Sequence, residues 1–141
     1  PALSLKSHIV FVKELEEGAE VSYGGTFTAE QGMRVATIPV GYGDGYPRSL
    51  SGRGHVLIRG QRALILGRVC MDQMMVDLTE AGAKVGDEVV LFGDRFKETS
   101  LDYAAGLIGE TITHELICGV SARVPRVAVR NGEVVEVVCE R

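Results

Sequence analysis

The chain has 141 residues, of which 45% are hydrophobic and 24% are charged, and its formal net charge is -4. This composition predicts a single globular domain over residues 1–141, and the interspersed charges argue against nucleic acid or an anionic membrane as a partner. The three cysteines form no C-x-x-C pair and the three histidines are scattered, so we expect neither disulfides nor a metal site, and we favour a cytoplasmic protein. No apolar run approaches the roughly 20 residues of a membrane-spanning helix. Because the chain starts at Pro1, without an initiator methionine, and enters a strand pattern at once, we expect it to be a piece of a longer protein.

Several segments have the apolar alternation or the short apolar runs that are typical of β-strands. They are residues 3–11, 34–40, 56–58, 63–66, 69–78, 88–92, 127–129 and 134–138. Two connections predict hairpins: residues 59–61, which contain Gly60, and the pair Asn131-Gly132. The Asn-Gly pair is the stronger indication, because both central residues of a type I′ turn need a positive φ and these residue types tolerate it best.

One helix is predicted near residue 100. Thr99 or Ser100 can cap it, Asp102 suits its first turn, and an apolar face follows. The face consists of Leu101, Ala104, Ala105, Leu107 and Ile108, and the glycines at 106 and 109 should keep the helix short. Many short strands with glycine-rich turns and one short helix favour a mainly β fold, a small Greek-key type β-barrel, over a parallel βαβ sheet.

Segment 41–48 (Gly-Tyr-Gly-Asp-Gly-Tyr-Pro-Arg) follows a predicted strand and superficially resembles a dinucleotide-binding glycine loop. Such a loop needs G-x-G-x-x-G at the start of a helix, where amide groups and the helix dipole meet a pyrophosphate. Here the third glycine comes one residue early, and Pro47 follows before any helical pattern. A tight loop that needs the conformational freedom of glycine is therefore the favoured interpretation, with nucleotide binding as the alternative.

Other polar and aromatic residues admit both a functional and an ordinary structural interpretation. Arg68, Asp72 and Gln73 crowd the entrance of the predicted strand 69–78, which suits either a site or a local ion pair. Tyr23 precedes two glycines and, taken alone, is a loop aromatic, whereas Cys70 is best interpreted as a buried, inert thiol. A basic cluster alternates with valines, as on the solvated or interface face of a strand, and consists of Arg123, Arg126 and Arg130.

Four ordered motifs span nearly the whole chain. They are Val-Ser-Tyr-Gly at 21–24, segment 41–48, Gly-Arg-Val-Cys-Met-Asp-Gln at 67–73 and Arg-Val-Pro-Arg at 123–126. Together they resemble the C-terminal half of the alanine racemase family, and the opening residues 3–7 are similar to the strand that follows the cofactor-binding barrel of that family. The resemblance implies a domain of a pyridoxal phosphate (PLP) enzyme that interconverts L-alanine and D-alanine.

In the family that the chain resembles, a lysine of an N-terminal α/β barrel holds PLP, and one base works on each face of the cofactor plane. The resemblance implies that Tyr23 is the second base, which reaches the site of a homodimer partner and acts on the L-enantiomer. It also implies that Met71 binds the substrate carboxylate through its backbone N–H, with Asp72 beside it at the pocket wall. Tyr42 matches a tyrosine that lines the substrate channel, where a large ring with a polar tip restricts entry.

Three more positions have roles by resemblance. Asp44 and Arg48 would hold the shape of their loop. His114 stands where the family has a tyrosine that touches the cofactor phosphate, and an imidazole can also donate to phosphate, although its charge varies near neutral pH. We therefore expect His114 to contact the cofactor.

The cofactor lysine of the family has no counterpart in this sequence. The lysines are Lys6, Lys13, Lys84 and Lys97, and each falls in a strand, turn or loop without a phosphate cradle. We therefore expect the chain to bind PLP weakly or not at all, and to be inactive without the N-terminal barrel domain and a homodimer partner. Two alternatives remain at this point: a racemase of another small amino acid such as serine, whose choice depends on barrel residues, and a non-catalytic dimerisation module.

Overall fold

The computed structural model describes residues 3–21, 27–29, 32–78, 82–93, 99–109 and 113–139. β-Strands are the main regular structure of this part of the chain. Its strands are β1 (Leu5–His8), β2 (Phe11–Leu15), β3 (Glu20–Val21), β4 (Phe27–Thr28), β5 (Met33–Ile38), β6 (His55–Ile58), β7 (Gln61–Leu66), β8 (Met74–Asp77), β9 (Glu88–Phe92), β10 (Arg126–Arg130) and β11 (Glu133–Val138). Seven of them form one antiparallel sheet in the order β1-β9-β6-β7-β8-β5-β2, while β3-β4 and β10-β11 are two-stranded ribbons.

The seven-stranded sheet curls so that one segment of chain bridges its two edges. The edge strands, β1 and β2, are consecutive in the sequence and are separated only by Ile9 and Val10. The Ile9 N–H donates to the carbonyl of Asp87 beside β9 (3.0 Å), and the Val10 N–H donates to the carbonyl of Thr37 on β5 (3.1 Å). Residues 3–11, predicted as one strand, therefore belong to two strands that meet at a bend, because β1 pairs with β9 and β2 pairs with β5.

The order of the central strands is that of a Greek key. β6, β7 and β8 follow one another and pair in sequence order, and β5, which precedes them in the chain, lies beside the last of them, β8. The prediction of a mainly β, barrel-type domain is confirmed. Strand 88–92 has the predicted bounds.

The concave face of the sheet is filled by one large cluster of buried apolar side chains. Ile38, Ile65 and Met74, from three neighbouring strands, are among its fully buried members. Tyr46, from the loop after β5, stacks on Phe92 of β9 with ring centroids 5.2 Å apart and an interplanar angle of 22°. Burial raises the pKa of the Tyr46 phenol, because the charged form would lose its hydration inside the core.

Both predicted hairpins are present, and both turns use positive φ. Arg59 and Gly60 have φ values of 51° and 77°, and Asn131 and Gly132 have 53° and 81°, as type I′ turns require. The first turn has two residues rather than the three expected, since Ile58 pairs directly with Gln61. The β10-β11 ribbon leaves all its residues exposed, including six valines at 127, 129, 134, 135, 137 and 138.

The described residues between β9 and β10 include two α-helices. The predicted helix is α1 (Leu101–Ile108), which begins where the Tyr103 N–H donates to the Ser100 hydroxyl (3.1 Å) and ends at Gly109 with a φ of 84°. The second, α2 (Thr113–Cys118), is a six-residue helix that sequence reasoning did not predict. Within the described residues, neither helix has the length or the apolar character needed to cross a membrane.

Candidate active site

Two of the predicted site segments meet because of the register of the sheet. Ile38, the last residue of β5, pairs with Met74, the first residue of β8. The glycine segment (residues 41–46), which follows β5, and the Met71 loop (residues 67–73), which precedes β8, therefore leave the sheet at the same end. The predicted strand 69–78 is shorter than expected, because it begins only at Met74 and residues before it form this loop.

The glycine segment lies directly against the Met71 loop. The Tyr42 N–H donates to the Cys70 carbonyl at 2.9 Å, and the Gly43 N–H donates to the Met71 carbonyl at 2.8 Å. A Cβ added at Gly41 would lie 2.0 Å from the Cys70 carbonyl oxygen and 2.5 Å from that of Met71. Glycine at position 41 is therefore required by the close approach of two backbones.

The same hydrogen bonds argue against nucleotide binding by the glycine segment. The amides of residues 42–46 all donate to backbone carbonyls, and the Gly41 N–H donates to the Asp44 carboxylate at 3.0 Å. A dinucleotide loop needs these amides free to meet a pyrophosphate. The motif is a packing loop, as the favoured interpretation held.

The backbone N–H of Met71 is directed away from the glycine segment. It shares one planar peptide group with the Cys70 carbonyl, and in a trans peptide the N–H and C=O point in opposite directions. Because that carbonyl faces the Tyr42 N–H, the Met71 N–H faces the other way. No acceptor for it lies among the described residues. Within the described part of the chain, the Met71 N–H is therefore a backbone donor without an acceptor, the kind of group that can bind a carboxylate.

The side chains around this donor are open to solvent. Tyr42 is 48% exposed and Met71 is 51% exposed, and the Asp72 side chain is 67% exposed. The carboxylate of Asp72 and the side chains of Tyr42 and Met71 are thus accessible from outside the domain.

Three charged residues join the two loops to the turn that follows α2. The Arg123 guanidinium donates from Nε to Oδ1 of Asp44 and from Nη2 to Oδ1 of Asp72, both at 2.8 Å. These bonds, first to Asp44 and then to Asp72, raise the pKa of Arg123 above its ordinary value. The prediction that Asp44 shapes its loop has a physical basis here, whereas Arg48 is exposed at the start of a 3-10 turn.

The prediction that Arg123, Arg126 and Arg130 share one face of a strand is wrong. Arg123 lies in the turn before β10, and only Arg126 and Arg130 belong to that strand. Arg126 donates to the carbonyls of Val120, Ser121 and Val124 at 3.0, 2.7 and 2.8 Å, so it fixes the turn that presents Arg123. The alternation with valines was misleading because Pro125 separates a turn from the strand.

A family model described as alanine racemase, C-terminal domain, matches residues 2–128. The chain belongs to the alanine racemase C-terminal domain family. Alanine racemase of Clostridium perfringens is 48% identical over 98% of this chain, and that of Halothermothrix orenii is 50% identical over 89% of it. The chain spans 36% and 34% of the length of these two proteins, so about a third of each.

Solved alanine racemases have the same domain. The structure from Clostridium difficile 630 is 41% identical, with a TM-score of 0.92 over 99% of this chain and 36% of that chain. The structure from Bacillus anthracis with bound L-Ala-P is 40% identical, with a TM-score of 0.91 over the same shares. The predicted family and fold are thus confirmed.

The alanine racemase C-terminal domain brings together only some of the predicted site residues. Tyr42, Met71 and Asp72 lie on adjoining loops. His114 is exposed on α2, and its side chain makes no hydrogen bond or ion pair with another described residue. Tyr23 lies outside the described residues.

The described lysines of this domain are Lys6, Lys13 and Lys84. Lys6 lies 3.4 Å from Glu88, and Lys13 and Lys84 are exposed. Lys97 lies outside the described residues. Within the described part, no three His, Cys, Asp or Glu residues are grouped to hold a metal ion, and all three cysteines are free.

Proposed function

We propose that this chain is the part of an alanine racemase that grips the substrate carboxylate and supplies one of two catalytic bases. The observation that supports the first role most directly is the Met71 N–H, which faces away from the glycine segment and lacks an acceptor among the described residues. Membership of the family and the similarity to proteins named alanine racemase support the reaction.

Racemisation requires proton transfer on both faces of Cα. The Cα–H bond must stand perpendicular to an adjacent π-system for the electron pair to delocalise, so removal and return of the proton on opposite faces need two bases. PLP, when bound by the remainder of the enzyme, would supply that π-system. Tyr23 would remove the proton from L-alanine, and a phenolate there needs cationic or hydrogen-bonding neighbours, because a free phenol titrates near pH 10.

The other residues would position the substrate. A backbone N–H at Met71 binds the carboxylate of either enantiomer equally, since that group stays in place while Cα inverts. The exposed ring of Tyr42, whose backbone N–H donates to the Cys70 carbonyl, would line the substrate channel. His114 would contact the cofactor phosphate from α2, and the cofactor lysine and the homodimer partner would complete the cleft.

The proposal is tested with Tyr23→Phe in the full-length enzyme and Tyr42→Phe as the matched control. Steady-state kcat/KM cannot separate the enantiomers, because its ratio in the two directions equals the equilibrium constant, which is unity for alanine in water. We therefore follow loss of the α-proton in D2O by NMR, starting from each enantiomer, together with chiral analysis of the product.

Without the phenol, exchange from L-alanine should fall by about 10²-fold or more, while D-alanine still exchanges with retention through the opposite base. Conversion between enantiomers should fall in both directions. Tyr42→Phe keeps the ring and should change KM more than kcat. If Tyr23→Phe caused equal, small losses of exchange from both enantiomers, Tyr23 would not be a catalytic base. If the unmodified enzyme converted serine in preference to alanine, the proposed substrate would be wrong.

A further inference from the structure

The ion-paired bridge at Arg123 is the one side-chain link that the described residues provide between all three segments of the site. Arg123 lies 79 residues from Asp44 and 51 residues from Asp72 in sequence, yet it is within 2.8 Å of both. Asp44 accepts in turn from the Gly41 N–H (3.0 Å), and its own carbonyl accepts from the Ser121 N–H (2.9 Å). The turn after α2 is therefore joined to the glycine segment and to the Met71 loop.

The space for this bridge is made by Gly43. A Cβ at that position would lie 2.5 Å from Nη2 of Arg123 and 2.9 Å from the Met71 carbonyl oxygen. The planar guanidinium uses two different nitrogens in a fixed fork, so it can contact two carboxylates that a single ammonium group could not hold in the same geometry. The arrangement thus depends on arginine at 123 and on the absence of a side chain at 43.

The bridge holds Asp72, which is the residue next to Met71, whose N–H is the proposed donor to the substrate carboxylate. Among the described residues, Arg123 is the partner that the structure gives to the Asp72 carboxylate, and Asp72 directly follows Met71. The peptide groups on the two sides of Met71 are held by the Tyr42 and Gly43 amides. The Asp72 contact adds a side-chain link between this loop and the turn after α2.

We propose that Arg123 is a positioning residue, which holds the Met71 N–H in the direction needed for the substrate carboxylate by tying Asp72 to Asp44. The proposal rests on the proposed carboxylate-binding role of Met71. Arg123 contacts no reacting atom in this scheme, and Asp72 acts through Arg123 rather than on the substrate.

The Asp72 half of the bridge is open to solvent, which determines what its loss should change. The side chains of Arg123 and Asp72 are 44% and 67% exposed, whereas that of Asp44 is 16% exposed, and exposed ion pairs contribute little to stability. Loss of the Asp72 half should therefore weaken substrate binding without a comparable loss of folding. A residue that served only to stabilise the domain would show the reverse.

The experiment uses the full-length enzyme with Arg123→Gln, Arg123→Lys and Asp72→Asn, and Arg130→Gln as the matched control. Arg130 is an exposed arginine at the end of β10, outside the three segments of the site, so its loss removes the same charge without touching the bridge. KM and kcat are measured with L-alanine and D-alanine. The inhibition constant of propionate, which keeps the carboxylate and lacks the amine, is measured in parallel, with thermal unfolding as a check of folding.

We expect Arg123→Gln to raise both KM values and the propionate inhibition constant by about tenfold, with kcat changed less than threefold. Arg123→Lys should lie between Gln and the unmodified enzyme. Asp72→Asn should reproduce most of the rise, and the double variant Asp72→Asn with Arg123→Gln should add little to either change.

Failure of this inference is distinguishable from failure of the proposed function. If the unmodified enzyme does not racemise alanine, the proposed function is wrong. If it does, and the Arg123 and Asp72 variants keep KM and propionate inhibition within twofold of Arg130→Gln, Arg123 is not a positioning residue. Should Arg123→Gln not fold, the exposed Asp72→Asn substitution decides the question by itself.

Discussion

Gly41→Ala tests whether close contact between the glycine segment and the Met71 loop orients the Met71 N–H, the proposed donor to the substrate carboxylate. The new Cβ would lie 2.0 Å from the Cys70 carbonyl oxygen, and real Cβ contacts essentially never fall under 3.0 Å. The loops must therefore separate by about 1.0 Å, which is the difference between these two distances. The hydrogen bond from the Tyr42 N–H to Cys70, now 2.9 Å, would then exceed hydrogen-bonding distance.

A shift of this size reaches the Met71 N–H directly, because that N–H belongs to the same peptide group as the Cys70 carbonyl. Misplacement of a positioning group by about 1 Å can cost roughly 10²-fold in rate. We expect kcat/KM for alanine to fall by about 10²-fold in the full-length enzyme, equally in both directions, with a loss of about 1–3 kcal/mol in unfolding free energy from overpacking.

The assay is steady-state racemisation followed by chiral chromatography, with circular dichroism to verify folding. The control is Gly106→Ala, since a Cβ on that exposed α1 position meets nothing within 4 Å and alanine is the better helix former. If folded Gly41→Ala kept kcat/KM within threefold of the control, contact between the glycine segment and the Met71 loop would not be what orients the donor.

Two further predictions concern the scaffold. Ser100→Ala removes the hydroxyl that accepts from the Tyr103 N–H at 3.1 Å, so α1 should lose about 1 kcal/mol of local stability, seen as roughly fivefold faster hydrogen exchange of its amides; unchanged exchange would show that the cap is dispensable. Burial raises the pKa of Tyr46 above its ordinary 10.0, so the folded state holds this proton more firmly than the unfolded chain. This stabilisation is complete below pH 10 and is lost above it by roughly 1.4 kcal/mol per pH unit; Tyr46→Phe should remove this component in urea unfolding between pH 8 and 11, and identical slopes would contradict it.

Local chemistry in the sequence was sufficient to predict the turns, the first helix and most strands. The Asn131-Gly132 turn follows from backbone conformations that few residue pairs tolerate, and α1 follows from a capping serine and an apolar face. These features depend on residues within a few positions of each other. Their physics is therefore present in a short window of sequence.

The errors occurred where distant segments decide the structure. The bend at Ile9 and Val10 exists because the residues before it pair with β9 and the residues after it pair with β5, at opposite ends of the strand order. The Met71 loop resembles a strand in its residue pattern, but β8 begins at Met74 because pairing with β5 starts there. Helix α2 has a single buried residue, Leu116, and so presents almost no amphipathic pattern to detect.

The candidate site follows the same division. Met71 and Tyr42 were proposed from resemblance alone, since nothing in their own residue types indicates a polar task. The proposed donor at Met71 is a backbone N–H, for which the identity of the side chain is secondary. The constraint on sequence is displaced to the neighbours that orient that N–H. Positions 41 and 43 require glycine, and position 123 requires a guanidinium group that contacts two carboxylates at once. A search for chemically reactive side chains would therefore pass over the residues on which the geometry of this site depends most.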